Sequence, residues 1–323
     1  VKNFLSLCAS FDFGRPALSE GETDFYRSLN GSIIRLLQTL PASTQADAMI
    51  LYMHFAGIRI GEELDFFRHY HIPVWSVLYW MLQAPWNIRT RSIDDMGDGV
   101  RAHAMTMLLH SLDNFLCDGG LPVSHTSLLI RSQAWRVIHE SLGRFCADIA
   151  GGERVVNDFF NTYYAAMCGR AEPDCIEDYC ANFKRQAATG LIVPLLAAMK
   201  YGADDDTVRS IRGACEAFFT AWRLMDDLRD IADDIRGKKQ TAPFFLLSRK
   251  GRRLWDEAGV GPVEARIGPL VRAMQEERII PAVVRRIGEE LEAAQSICEQ
   301  IGMSGLGREF AAMREPLTWN NKA

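Results

Sequence analysis

The 323-residue chain predicts an all-α fold: one large helical bundle around a central apolar cavity. Three observations predict it. Apolar residues recur at three- and four-residue steps along most of the chain, and the two-residue alternation of a half-buried strand is absent. Helix-ending residues punctuate the periodic stretches, at Pro41, Pro85, Gly119-Gly120-Leu121-Pro122, Gly151-Gly152, Pro173, Gly202 and Gly237. Segment 190–199, GLIVPLLAAM, is apolar around its whole circumference, which places it at the centre of a bundle.

In chain order, the spacing predicts helices over 25–40, 45–55, 73–82, 99–115, 126–149, 155–167, 176–199, 206–234, 263–274 and 280–301, ten or so in all. No Ser/Pro-rich linker, repeat or low-complexity run separates them, so residues 1–323 read as one domain. The composition is that of an ordinary globular protein, 48% hydrophobic and 24% charged. A net charge of -5, with the charges interspersed and no basic tract, argues against nucleic acid as a partner. No run approaches the roughly 18 uninterrupted apolar residues of a transmembrane helix. Residues 1–5 carry no secretory pattern. The eight cysteines form no CxxC pair, and Cys175 and Cys180 have no histidine partners at zinc-finger spacing. They read as reduced, buried thiols of a cytoplasmic protein.

The chemistry concentrates where one apolar helix ends. Segment 218–247 reads FFTAWRLMDDLRDIADDIRGKKQTAPFFLL and carries five aspartates: Asp226, Asp227, Asp230, Asp233 and Asp234. Residues four apart share a helix face, so Asp226, Asp230 and Asp234 form one acidic ridge. Like charges at that spacing destabilise a helix by a few tenths of a kcal/mol per pair, roughly, unless a cation neutralises them. Carboxylate-only ligands suit a hard ion such as Mg²⁺, which completes its shell with water and phosphate oxygens. The ridge follows Phe218, Phe219, Trp222 and Met225 and precedes Arg236, Lys238 and Lys239. Carboxylates for metal followed by cations for phosphate is the arrangement diphosphate chemistry requires. A solvated acidic helix face is the plainer alternative.

This stretch resembles the second aspartate-rich motif of trans-prenyltransferases, DDxxD followed by Gly-Lys, with Asp226, Asp227, Asp230 and Gly237-Lys238 in its places. Its spacing is also similar to the NSE triad of class I terpene synthases, at Asp226, Asp230 and Asp234. Leu228-Arg229-Asp230 with Asp234 partly resembles squalene and phytoene synthases. The resemblance implies the isoprenoid synthase fold, a prenyl diphosphate substrate, Mg²⁺ and a homodimer.

Two further stretches resemble the same superfamily with departures. Segment 178–204 is similar to the prenyltransferase helix whose Lys-Thr grips diphosphate. Lys184 and Arg185 fall near that position, but the pair itself is Arg185-Gln186, and a surface-exposed pair is the alternative. Thr189-Gly190 is a place where the helix can break and turn carbonyls toward a cavity. Segment 107–125, MLLHSLDNFLCDGGLPVSH, resembles the first aspartate motif and its ending in Gly120-Leu121-Pro122 and His125. Its acidic part is reduced to Asp113, Asn114 and Asp118, and Asp118-Gly119 stand where the family carries two arginines. Asp118 also reads as a loop aspartate before Gly-Gly. A rival DDxxD, Asp94-Asp95-Met96-Gly97-Asp98, follows Arg89 and Arg91 and precedes an apolar helix. It reads as the acidic first turn of that helix. The Gly-Lys-Arg that helps hold isopentenyl diphosphate is not recognisable; the nearest stretch is Arg68-His69-Tyr70-His71-Ile72-Pro73.

The resemblance then implies two facing carboxylate walls, Asp113, Asn114 and Asp118 against Asp226, Asp227, Asp230 and Asp234, holding about three Mg²⁺ ions around one diphosphate. Asp113, Asp226 and Asp230 head the list for catalysis. Lys184, Arg185 and Lys238 are the candidate diphosphate clamp, and Trp75, Tyr79, Phe115, Phe218, Phe219 and Trp222 the candidate cavity lining. The missing cations imply a weakened second diphosphate site, and hence cyclisation or elimination by a terpene synthase. Prenyl transfer to isopentenyl diphosphate, another prenyl unit or a small non-prenyl acceptor is the alternative, with Arg59, Arg68 or Arg136 as replacement cations. A non-catalytic prenyltransferase-like subunit is a third reading.

Overall fold

The computed structural model describes residues 2–67, 72–87, 92–117, 119–169, 172–258 and 263–317. Those residues form sixteen α-helices and no strand. The first eight are α1 (Lys2–Ala9), α2 (Glu20–Gln38), α3 (Ala42–Phe55), α4 (Pro73–Leu82), α5 (Gly97–Cys117), α6 (His125–Phe145), α7 (Gly152–Cys168) and α8 (Ile176–Gln186). The rest are α9 (Thr189–Tyr201), α10 (Asp205–Arg229), α11 (Ile231–Gly237), α12 (Ala242–Leu246), α13 (Arg249–Ala258), α14 (Val263–Glu276), α15 (Ile279–Gln300) and α16 (Ser304–Arg314).

Helix starts are written in the sequence. Ser19 accepts from the Glu22 amide at 3.3 Å while the Glu22 carboxylate accepts from the Ser19 amide at 2.8 Å, a reciprocal cap that opens α2. Asp204 accepts from the Thr207 amide at 2.7 Å and opens α10. Each such cap stabilises its helix by about 1 kcal/mol. Pro73, at the first position of α4, needs no amide partner there.

The long helices α5, α10 and α15 carry the packing. α10 lies along α15, α5 against α6, and α5 also meets α2 and α9. Segment α9 sits at the centre as expected: Leu191, Ile192, Leu196 and Ala197 are buried. One apolar core runs from Phe4 to Met313.

Two predicted helices are each divided. The 176–199 stretch breaks at Ala187-Ala188, separating α8 from α9. The 206–234 stretch breaks at Asp230, which caps α10 and opens α11. Four helices lie outside the predicted stretches: α1, α12, α13 and α16. α12 is too short to show a period, and α13 exposes most of its charged circumference around Gly251, Trp255 and Ala258. α16 contains Gly305 and Gly307, which read as turn residues. Gly305 is there for close approach, since a Cβ on it would lie 1.9 Å from the Trp80 ring.

α16 also brings a buried acid inward. The Ser76 hydroxyl donates to both Glu309 oxygens, at 2.7 and 2.9 Å, and the Trp80 indole N–H donates to one of them. Burial, with the Glu22 carboxylate nearby, pushes the Glu309 carboxyl up to about 8.

All eight cysteines are free, but only Cys8, Cys180, Cys215 and Cys298 are buried. Cys117 and Cys168 are exposed, because each is the last residue of its helix, α5 and α7. No helix among the described residues is long and apolar enough to cross a membrane.

Candidate active site

Two cavities adjoin at the C-terminal halves of α5 and α10. One, of about 420 Å³, is walled by rings and aliphatic groups, among them Tyr52, Phe66, Phe67, Trp75, Phe218 and Phe219. The other, of about 290 Å³, is polar, with Asp113, Asp227, Asp234, Gln186 and Lys239 on its walls. Six residues line both and so mark the neck between them: His110, Asn114, Phe183, Arg223, Asp226 and Asp230. His110 and Asn114 are four apart on α5, which puts them on one face.

The acidic wall comes from α10 and α11. The Asp230 amide donates to the Asp226 carbonyl and the Asp234 amide to the Asp230 carbonyl, each at 2.9 Å. The helical path therefore nearly continues through the joint, and Asp226, Asp230 and Asp234 all reach the polar cavity. Asp227 has a different surrounding. It is 1% exposed and accepts from the Tyr179 hydroxyl at 2.8 Å and the Ala242 amide at 2.9 Å, while Arg223 Nε stands 3.1 Å away. Burial raises its carboxyl to about 6 against the pull of Arg223. Asp234 makes no side-chain hydrogen bond among the described residues, and burial beside Asp227 pushes it to about 7.

The facing wall comes from α5. Asp113 is buried, and both its oxygens are engaged: Arg131 Nε donates at 2.6 Å and Nη2 at 3.0 Å, and the Tyr163 hydroxyl at 2.9 Å. Asn114 is exposed at the neck. Asp118 lies outside the described residues, as do Arg68, His69, Tyr70, His71, Arg89 and Arg91. The rival Asp94 and Asp95 form a 3₁₀ turn leading into α5, and Asp98 pairs with Arg144 at 2.8 Å. None of the three lines either cavity.

The cations differ from the expected clamp. Lys184, Arg185 and Lys238 line neither cavity. Arg185 is exposed and donates to Asn182 on its own helix. Lys238 adopts a left-handed conformation, φ 52°, that closes α11, and the next residue turns back so that the Lys239 amide meets the Asp234 carbonyl at 2.9 Å. It is thus Lys239 that reaches the polar cavity. Arg223, an interior residue of α10, was hidden in the sequence by its apolar neighbours. Its Nε donates to the Tyr179 hydroxyl at 2.6 Å, its Nη1 stands 3.4 Å from Asp226, and its plane lies 5.5 Å from the rings of Tyr179 and Phe183. Arg136 pairs with Glu140 at 2.7 Å and, like Arg59, lines neither cavity.

Of the candidate lining rings, Trp75, Phe115, Phe218, Phe219 and Trp222 face the apolar cavity; Tyr79 instead packs on Phe25 and Trp80. The N-terminal helices supply Ile33 and Tyr52, which helical periodicity alone does not mark as cavity residues. Gly190 lies in the first turn of α9, and a Cβ there would sit 3.2 Å from the Phe219 ring. Its lack of a side chain lets that ring reach the cavity.

Mg²⁺ requires hard oxygen donors. Asp226, Asp230 and Asp234 offer hard oxygen donors on one wall of the polar cavity. Among the described residues no three acidic, histidine or cysteine groups converge into a ready-made metal cage. That accords with an ion held by one or two carboxylates and completed by water and phosphate. The residues fit on this wall. On the facing wall Asn114 offers an oxygen among the described residues, while Asp113 is occupied by Arg131 and Tyr163.

Solved structures with a similar arrangement of helices include prenyl diphosphate synthases. Heptaprenyl diphosphate synthase from Staphylococcus aureus aligns with a TM-score of 0.68 at 10% identity, over 94% of this chain and 100% of its own. Geranylgeranyl pyrophosphate synthase from Lactobacillus brevis gives 0.69 at 12% identity, over 90% and 96%. The Corynebacterium glutamicum enzyme complexed with isoprenyl diphosphate and magnesium gives 0.62 at 13% identity, over 93% and 99%. The chain therefore has the all-α class I isoprenoid synthase fold. In sequence it matches no family model and no curated protein.

Proposed function

We propose that this protein is an enzyme that ionises an allylic prenyl diphosphate with the help of Mg²⁺ and transfers the prenyl group to an acceptor. The observation that carries the reading is the joined pair of cavities, one walled by carboxylates and the other by rings, with a shared neck. A prenyl diphosphate has the same two halves. The named activities of the structurally similar proteins support transfer over the cyclisation expected from the eroded motifs.

In this reading Asp226, Asp230 and Asp234, with Asn114 opposite, hold Mg²⁺. The ion, when bound, neutralises the diphosphate and stabilises the charge that grows on it as the C–O bond breaks. Lys239 adds positive charge at the rim. Asp227 keeps Tyr179, Arg223 and the start of α12 in place. The rings exclude water from the allylic cation, and their faces stabilise it.

One observation favours cyclisation or elimination as a second reading. Among the described residues the cations lining the cavities are Arg223, Arg229 and Lys239, and Arg229 is turned to the Phe11 carbonyl and Asp12. They form no second cluster for a second diphosphate.

The test is a product assay with Mg²⁺ and geranyl, farnesyl or geranylgeranyl diphosphate, each with and without isopentenyl diphosphate. A longer diphosphate formed when isopentenyl diphosphate is present establishes transfer. A hydrocarbon or alcohol from the allylic substrate alone establishes the second reading. No release of diphosphate under any condition rejects ionisation of these substrates.

A further inference from the structure

The charge on the leaving group needs a partner at the point where the bond breaks, and the fold supplies one that the family-like motifs do not mark. We infer that Arg223 receives the leaving diphosphate, donating hydrogen bonds from the unused part of its guanidinium at the neck between the two cavities. The inference rests on the reading proposed above and adds a catalytic residue to it.

Three features place the role on Arg223. First, it is the one cationic side chain, among the described residues, that lines both cavities. A substrate with its chain in the apolar cavity and its phosphates in the polar one has its scissile C–O bond at the neck. Second, the group is held but not used up. A guanidinium has five N–H donors. Nε serves the Tyr179 hydroxyl and Asp227, and Nη1 stands at a long 3.4 Å from Asp226, while Nη2 makes no hydrogen bond among the described residues. Third, its guanidinium carbon lies 5.5 Å from the ring centroids of both Tyr179 and Phe183, and this packing holds it so that the unused donors need little reorganisation to meet an anion.

The step balances without proton transfer. The C–O bond breaks heterolytically, and both electrons go to the bridging oxygen. The diphosphate leaves with one more negative charge, and the prenyl group becomes the allylic cation. Arg223 keeps its protons and its charge throughout. A merely structural Arg223 would neutralise Asp227 and nothing more, and the two roles separate experimentally.

The experiment is calorimetric titration of the full-length protein with inorganic pyrophosphate in the presence of Mg²⁺. The wild type, Arg223→Lys, Arg223→Gln and the double variant Arg223→Gln/Asp227→Asn are compared, with a thermal melt of each. The double variant removes both members of the buried pair, so it keeps the fold if Arg223→Gln alone does not. Loss of a charge-assisted contact predicts roughly ten- to hundredfold weaker pyrophosphate binding in Arg223→Gln and in the double variant. Arg223→Lys keeps the charge but not the fork, and binds severalfold more weakly than the wild type. Wild-type affinity in the double variant or in Arg223→Lys would overturn the role of Arg223 and leave the proposed function standing. If the wild type itself binds no pyrophosphate with Mg²⁺, the proposed function falls, and this inference with it.

Discussion

Arg131 grips Asp113 through two parallel hydrogen bonds, Nε to Oδ1 at 2.6 Å and Nη2 to Oδ2 at 3.0 Å. The residue that the sequence offers as head of the first metal motif is therefore neutralised from within. Asp113→Asn should lower stability by about 1–2 kcal/mol, through loss of a charged acceptor for Arg131 and Tyr163. Its Mg²⁺ affinity should fall less than that of Asp230→Asn, whose carboxylate is exposed to the polar cavity. Melts and Mg²⁺ titrations of the two variants decide this; the reverse order would return Asp113 to the metal.

Asp226 and Asp230 line both cavities, whereas Asp94 lines neither. Alanine at either of the first two should slow product formation about a hundredfold or more, the scale of losing preorganised charge stabilisation at a reacting centre. Asp94→Ala should turn over like the wild type. An inactive Asp94→Ala beside an active Asp226→Ala would relocate the site.

Lys238 holds a left-handed backbone that glycine adopts without penalty. Lys238→Gly should raise unfolding free energy by about 1 kcal/mol, measured by urea denaturation. Turnover should stay unchanged, because Lys238 lines neither cavity. Lys239→Ala should behave in the opposite way, with little change in stability and weaker pyrophosphate binding.

Glu309, which lines neither cavity, gives the fold a pH dependence. Its carboxyl is raised to about 8 in the folded chain, from an ordinary value of 4.5. Between those values the folded state holds a proton that the unfolded state has released. Stability from this group is therefore fully present below about 4.5 and is lost as pH rises toward 8, with a slope approaching one proton. Melting temperatures across that window should decline, and Glu309→Gln should flatten the decline. An unchanged slope in Glu309→Gln would assign it to other groups.

The helical class was legible because 3.6-residue periodicity survives in α2, α7, α10 and α15. The acidic ridge was legible because its spacing is local: Asp226, Asp230 and Asp234 need one helical path to share a cavity. The opposite wall was not, since nothing local ties Asp113 on α5 to Arg131 on α6 and Tyr163 on α7. Arg223 was missed because a cation inside an apolar helix announces no partner until α8 brings Tyr179 and Phe183 beside it. Lys238 was named because Gly237-Lys238 matches the Gly-Lys pair of the resembled motif, and a matched string carries no record of the left-handed turn at Lys238.

Asp227 joins three helices at one carboxylate: Tyr179 of α8, its own neighbour Arg223 on α10, and the first amide of α12. Its letter in the DDxxD string thus encodes architecture. A mutational scan read by activity alone would score Asp227 beside Asp226 and Asp230, as three equal members of one motif. Their phenotypes should part on refolding yield: the outer two leave an intact but inert protein, and the middle one, replaced while Arg223 stays and is left buried without its counter-ion, leaves little protein at all. A short motif can be a composite, with chemistry and carpentry interleaved residue by residue.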